Sequence, residues 1–203
     1  MGRVWKRAWE KREGISVRGR EKRNFTIDKD DGMEVADQFG IKTRVLDLTT
    51  QKELAMETLG TVTTLTDAAV SNLAPRLRML TLYAVAASEN RLVAGTGNAS
   101  EYYMGYFTKW GDGAYDLNPI ADLTATEIFE FLRYLKAPQS IITKAPSAGL
   151  YEGQTDEADM GVTYAAIDQY IKTGQANDHD KAIIDRYHAR SEHKRRNPLR
   201  YPD

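Results

Sequence analysis

The sequence predicts an α/β fold, a parallel sheet flanked by helices. Three observations carry this prediction. A helical face over Met33, Val35, Ala36 and Phe39 stops at Gly40 and runs straight into the β-branched, alternating segment Ile41–Leu48, which is one step of an α/β pattern. Leu73, Leu77, Leu80, Ala84 and Ala87 recur at steps of four and three, the spacing of one apolar helical stripe. A short apolar run, Arg91-Leu92-Val93-Ala94-Gly95, then reads as a buried strand ending at glycine.

Taken in order, the elements follow from local chemistry. Residues 1–31 show no clean helical or alternating period, so order is expected to begin near Gly32. Residues 42–48 form a strand and 50–58 a short helix. The long helix is expected over 71–89, because Pro75 is tolerated only in a first turn and Ser71 or Asn72 can cap the start. Strand 91–95 should lie parallel to strand 42–48, with the helix packed on both. Arg76, Met79 and Tyr83 are read as lying off the apolar stripe. Thr124-Ala125-Thr126-Glu127 is a capping box opening a helix over 124–135, with Ile128, Phe131, Leu132 and Leu135 on its apolar face. Two short helices close the chain, 163–172 with Tyr164, Ile167 and Ile171 inward, and 179–190 with Ile183, Ile184 and Tyr187 inward.

Composition bounds the function. The chain has 203 residues, 41% of them apolar and 28% charged, which suits one globular domain. No apolar run reaches the roughly 18 residues that span a bilayer, so no membrane partner is expected. There is no cysteine, which excludes disulfides, thiol nucleophiles and iron–sulfur or thiolate zinc sites. No apolar leader is visible, so the cytoplasm is the expected location. Charge is divided unevenly. Residues 1–27 carry nine Lys/Arg and three Asp/Glu, and the remainder nineteen and twenty-six. The basic stretch reads as a solvated or poorly folded extension, with a nucleic-acid-binding arm as the less favoured alternative.

Candidate chemistry gathers in glycine-rich segments. The 91–95 strand delivers Gly95-Thr96-Gly97-Asn98-Ala99-Ser100-Glu101 at its carboxyl end, where open α/β sheets bind ligands. Asn98 or Ser100 can cap a helix whose N–H groups attract anions, and Glu101 can help hold a phosphate-bound Mg²⁺. Glu101 is equally compatible with a plain first-turn acid. Gly105–Asp116 mixes aromatics, glycines and charges. It serves either to bind a flat ring and an anion or as a buried plug.

These segments, read in order, closely resemble the NAD synthetase family, both its ammonia-using members and the equivalent domain of glutamine-using ones. The resemblance runs from about Met33 to Asn197. It is carried by Asn72–Met79, Gly95–Glu101, Gly105–Gly113, Lys144–Leu150, Gly153–Glu157 and Glu192–Arg195. It implies a Rossmann-like fold of the pyrophosphate-loop ATPase group, in a homodimer. The implied reaction is ATP- and Mg²⁺-dependent amidation of deamido-NAD by ammonia through an acyl adenylate, with a glutaminase as one source of the ammonia. By position, Thr96 and Ser147 are assigned to ATP and Glu101 to Mg²⁺. Arg76, Lys109, Asp116, His193 and Lys194 are assigned to deamido-NAD.

Two departures qualify the resemblance. The family's Ser-Gly-Gly-x-Asp-Ser loop is absent from the sequence, and its first 40 residues offer only Ser16-Val17-Arg18-Gly19. The Lys that family members carry two residues after the Leu of the Leu-Thr pair is Ala125 here. The chain therefore divides into 1–31, an atypical basic segment read as disordered or out of frame, and 32–203, the C-terminal portion of a synthetase domain. A sheet lacking its first strand leaves unpaired edges and exposed apolar surface. The expectation is slow catalysis or none, with a catalytically inactive dimerisation or dinucleotide-binding fragment as the alternative.

Overall fold

The computed structural model describes residues 13–18, 25–147, 155–198, 200 and 201. Strand β1 (Glu13–Arg18) leads into helix α1 (Phe25–Gln38), which returns to strand β2 (Lys42–Asp47). The two strands pair in parallel, Glu13 opposite Lys42 through to Arg18 opposite Asp47. This is a β-α-β unit, as the alternation predicts. Regular structure therefore starts earlier than the expected Gly32. Local periodicity around β1 is weak, and its partner strand lies 29 positions further on.

The second expected strand differs. Residues 91–95 do not form an extended strand. Their regular pairing is a single parallel bridge between Ala94 and Leu117. Around it, Gly95 N–H donates to the Leu117 carbonyl at 2.7 Å and Asp116 N–H donates to the Val93 carbonyl at 2.9 Å. Val93 is buried, but Leu92 is 70% exposed, so an apolar run that reads as fully buried is half solvated. Among the described residues, the β1–β2 ladder and this bridge remain separate pieces of sheet. Val45 and Leu46 of β2 are 45% and 37% exposed accordingly.

Helix α2 (Thr49–Gly60) precedes the long α3 (Asp67–Ser88). Helix α3 starts four residues before the expected boundary, because Thr66 caps it by accepting from Ala69 N–H at 3.2 Å. Pro75 consequently sits inside the helix. An interior proline typically costs about 3 kcal/mol. Tertiary contact offsets part of this cost: the Pro75 ring lies against Gly111, and Asn72 accepts a 2.6 Å hydrogen bond from Thr108. The apolar stripe is also reoriented. Ala74 and Ala86 are buried, Leu73 and Leu77 are half-buried, and Leu80, Ala84 and Ala87 face solvent. Arg76 shares that exposed face with Leu80 and Ala84, one and two helical repeats on, instead of lying off it.

The packed interior lies further along the chain. Helices α4 (Ala99–Met104), α5 (Ala125–Tyr134), α8 (Tyr164–Thr173) and α9 (Asp178–Arg190) meet there, joined by α6 (Gln139–Ile142) and α7 (Asp156–Met160), and α10 (Glu192–Arg195) follows α9. Met104, Ala125, Met160, Val162, Tyr164, Ile167 and Ile184 form the core. The helical spacings of the last two long segments therefore select Ile167 and Ile184 correctly. On α5, Phe131 and Leu135 of the predicted face are 41% and 38% exposed. Thr124 and Glu127 form the predicted capping box, and Lys172 pairs with Glu127 at 2.7 Å. Residues 1–12, Ala148–Leu150 and Gly153–Gln154 lie outside the described residues.

Helix α4 ends at Gly105, whose φ is +66°. A Cβ added there would overlap the side chain of buried Ser191. Gly105→Ala should lower the unfolding free energy by roughly 2–4 kcal/mol, combining a left-handed backbone penalty with overpacking. Gly174→Ala, at φ +70° with open space around it, should show only the backbone part of the loss. Urea unfolding of both variants checks the difference.

Candidate functional site

The site is built on the start of α4. Asn98 caps the helix by accepting from Glu101 N–H at 2.9 Å, and Glu101 Oε2 accepts from Asn98 N–H at 2.8 Å. Ala99 N–H donates to the Leu123 carbonyl at 2.8 Å, which ties the turn to the segment ahead of α5. Asn118 Nδ2 donates to the Gly97 carbonyl at 2.7 Å. Gly95 lets the chain pass Tyr115, because an added Cβ would come within 2.5 Å of that ring.

A cleft of about 260 Å³ opens beside this turn. Gly97, Asn98 and Glu101 form one wall. Phe107, Asp112 and Gly113 from the aromatic loop and Lys194 from α10 line it as well. Tyr102 and Phe107 stack with ring centroids 5.9 Å apart and planes 2° from parallel. A flat aromatic surface, a carboxylate and an ammonium thus border one space, a combination suited to a planar ring carrying anionic groups.

The charges in the cleft are perturbed in opposite directions. Burial is the main cause of the rise of the Glu101 carboxyl to about 7; the Asn98 N–H pulls it down, and the Asp156 and Asp112 charges add to the rise. Burial likewise pulls Lys194 below the ordinary lysine value. Lys194 Nζ donates to the Gly105 carbonyl at 2.7 Å and to the Phe107 carbonyl at 2.6 Å. Lys109 Nζ donates to the His193 carbonyl and lies 5.4 Å from the Trp110 ring centroid. The two lysines therefore lash the aromatic loop and the chain end together reciprocally. The chain end is further held by Arg195, which donates to the Tyr103 carbonyl at 3.1 Å, and by His188 Nδ1–H, which donates to the same carbonyl at 2.9 Å.

Of the residues singled out in the sequence, Glu101 and Lys194 meet in the cleft, and Lys109 bonds to the backbone of His193, the residue before Lys194. Thr96 is exposed, one residue before Gly97 of the cleft wall. Arg76 is exposed on α3, directly after the Pro75 that packs on Gly111. Asp116 is turned to the backbone: its carboxylate accepts from Val93 N–H at 2.7 Å and from Tyr83 OH at 3.4 Å. Ser147 is exposed and follows Pro146, whose carbonyl accepts from Asp156 N–H at 3.0 Å. Asn118 and Tyr102 escaped the sequence reading. Tyr102 follows Glu101 directly but reads as an ordinary helix residue, and only the folded chain brings Asn118 to the glycine turn.

Glu101 also sets a pH dependence. Between about pH 4.5 and 7 the folded chain retains a proton that the unfolded chain has released. Stability should therefore fall as pH rises through that window and level off above it, by up to about 3 kcal/mol at ~1.4 kcal/mol per pKa unit. Glu101→Gln should flatten that part of the curve, which chemical unfolding in EDTA across pH 4–8 measures.

The chain is similar to known proteins over most of its length. The sequence model of the family described as NAD synthase matches residues 1–198. An NH(3)-dependent NAD(+) synthetase from Carboxydothermus hydrogenoformans is 48% identical over 173 residues, covering 84% of this chain and 71% of that protein. One from Alkaliphilus metalliredigens is 44% identical over 181 residues, covering 85% and 73%. Among solved structures, an NMN synthetase from Francisella tularensis superposes with a TM-score of 0.87 at 38% identity, over 93% of this chain and 78% of that one. An NH3-dependent NAD synthetase from Campylobacter jejuni shares the fold, with a TM-score of 0.70 at 20% identity.

Proposed function

Because the chain belongs to the NAD synthase family, we propose that it is an ammonia-dependent NAD(+) synthetase, amidating deamido-NAD to NAD with ATP. The observation that supports this most is the cleft at the start of α4, where Glu101, Lys194, Asp112 and the Tyr102–Phe107 stack meet. In the proposed reaction a nicotinate carboxylate oxygen attacks the α-phosphorus of ATP and pyrophosphate leaves. Ammonia then attacks the acyl carbon, loses a proton, and AMP leaves. Both steps build negative charge on a leaving group, which fixed cations stabilise.

The residue roles follow the chemistry. Thr96, beside the glycine turn, and Ser147, beside α7, take ATP. Lys194, whose ammonium is already held by two carbonyls, and Lys109 and His193, joined by the Lys109 bond to the His193 carbonyl, take the anionic groups of deamido-NAD. Arg76 and Asp116 complete that half of the site. Glu101 fits Mg²⁺: a half-buried carboxyl raised to about 7 by burial and by two neighbouring acids gains most from a cation. Mg²⁺ prefers one or two carboxylates plus substrate phosphates, and among the described residues no cluster of three acids or histidines forms a cage of its own. Bound there, the cation would neutralise charge on the departing pyrophosphate.

The proposed assembly is a homodimer in the cytoplasm, supplied with free ammonia or served by a glutaminase. The exposed α3 face carrying Leu80, Ala84 and Ala87 supports the dimer. Among the described residues no helix is long and apolar enough to cross a membrane. A second reading, a dinucleotide-binding chain without turnover, is favoured by the missing Ser-Gly-Gly-x-Asp-Ser run, by Ala125 in place of a lysine, and by the two separate pieces of sheet.

The test is deamido-NAD, ATP, Mg²⁺ and ammonium, with NAD read by a coupled dehydrogenase. Losing even one preorganised donor typically costs about 2.7–4 kcal/mol of transition-state stabilisation. Turnover should therefore lie well below ~1 s⁻¹, the low end of ordinary enzymes. Calorimetric binding of deamido-NAD should persist, weaken with salt, and fall by roughly tenfold or more in Arg76→Ala and in Lys109→Ala, since a charge-assisted hydrogen bond is worth about 1.5–3 kcal/mol. Equal affinity in all three proteins would overturn the assignment of these two residues.

A further inference from the structure

The residue before Glu101 is committed to the interior. Ser100 is fully buried and Asp168, on α8, is 3% exposed. Ser100 Oγ donates to Asp168 Oδ1 and accepts from Ala125 N–H at 3.0 Å. Asp168 Oδ2 accepts from Thr126 N–H at 2.8 Å. Ala125 and Thr126 are the first two residues of α5, so the carboxylate sits where free N–H groups and the helix dipole favour negative charge. One buried carboxylate thereby joins the starts of α4 and α5 to the middle of α8.

This arrangement fixes more than the core. Helix α4 has only six residues, too short to hold its own orientation, and Glu101 directly follows Ser100. A rotation of the first turn would carry Glu101 out of the cleft wall. The Asn98–Glu101 capping box cannot prevent that rotation, because both partners lie within the turn that would move. The Ser100–Asp168 hydrogen bond can, because its far end is anchored 68 positions away. From this geometry we infer that Asp168 is a positioning residue, which acts through Ser100 to hold Glu101 at the cleft. The inference rests on the reading of Glu101 as the carboxylate that meets the divalent cation.

The experiment uses the full chain and Mn²⁺ as probe, with a non-hydrolysable ATP analogue present. Binding is read from loss of the free-ion electron paramagnetic resonance signal, and folding from circular dichroism. Glu101→Gln should raise the Mn²⁺ half-saturation at least tenfold. Ser100→Ala and Asp168→Asn should each raise it fivefold or more at temperatures where they remain folded. The double variant should be within twofold of the weaker single, because both act through one hydrogen bond. Lys172→Ala, which breaks the exposed α8–α5 ion pair with Glu127, should stay within twofold of the unaltered chain. If Asp168→Asn does not fold, Ser100→Ala decides, since it leaves Asp168 paired with Thr126 N–H. Lower melting with unchanged Mn²⁺ affinity in Ser100→Ala would make the pair purely structural and overturn the inference. Unchanged affinity in Glu101→Gln, or no Mn²⁺ binding by the unaltered chain, would overturn the underlying reading along with it.

Discussion

A buried carboxylate has to be satisfied where it sits, and Asp168 is satisfied by Ser100 Oγ and the N–H of Thr126. Both partners stand at helix starts, so the requirement fixes two helix origins against a third helix. Met104, Ile167 and Ile184, all fully buried, pack around the same junction. Apolar burial supplies the driving force there, at roughly 1.5–3 kcal/mol for each large side chain, but it is indifferent to small rotations. The hydrogen bonds supply direction, because leaving a buried charge unpaired is strongly unfavourable. The cleft inherits its geometry from this junction through the first turn of α4.

The electrostatics of the cleft follow from partial burial. Glu101 is desolvated and has other acids nearby, so its carboxyl holds its proton up to about pH 7, well above the ordinary carboxylate range. Lys194 is desolvated too, but two carbonyl oxygens accept hydrogen bonds from its ammonium. A site with a reluctant anion and pre-oriented cations is prepared for a ligand that brings negative charge together with a counter-cation. The lysines also perform a mechanical task. By bonding to each other's backbone segments, Lys109 and Lys194 draw the chain end across the aromatic loop, so the cleft is bordered by residues more than eighty positions apart.

Among the described residues, the sheet stands in two separate pieces. Strands β1 and β2 form one ladder, and Ala94 with Leu117 forms a separate bridge. Val45, Leu46, Leu80 and Leu92 carry the consequence as exposed apolar surface. Helix α3 tolerates Pro75 because Gly111 and Thr108 give its first half tertiary partners, while its far end turns Ala84 and Ala87 to solvent. The well-packed, site-bearing half and the open, sheet-bearing half obey the same physics with different amounts of covering surface.

Local chemistry sufficed wherever the deciding contacts lie within a few residues. The Thr124–Glu127 capping box, the inward Ile167 and Ile184, and the β2 segment were all legible, because caps and periodicity are written into spacings of two to four, whereas the choice of Asn98 over Ser100 as the cap of α4 was left open. So was the family, whose motifs are contiguous. Tertiary structure decided the rest. Whether the 91–95 run extends as a strand or stops at the single Ala94–Leu117 bridge depends on what lies beside it, and no local pattern carries that choice. The face of α3 that is buried depends on what is present to cover it, so the stripe was visible and its orientation was not. Lys109 and Lys194 were recognisable as cations, but their carbonyl acceptors are main-chain atoms that any residue supplies. The role of Asp168 had no local signature at all, since a polar residue inside a helix looks solvated until a hydroxyl 68 positions away is folded against it.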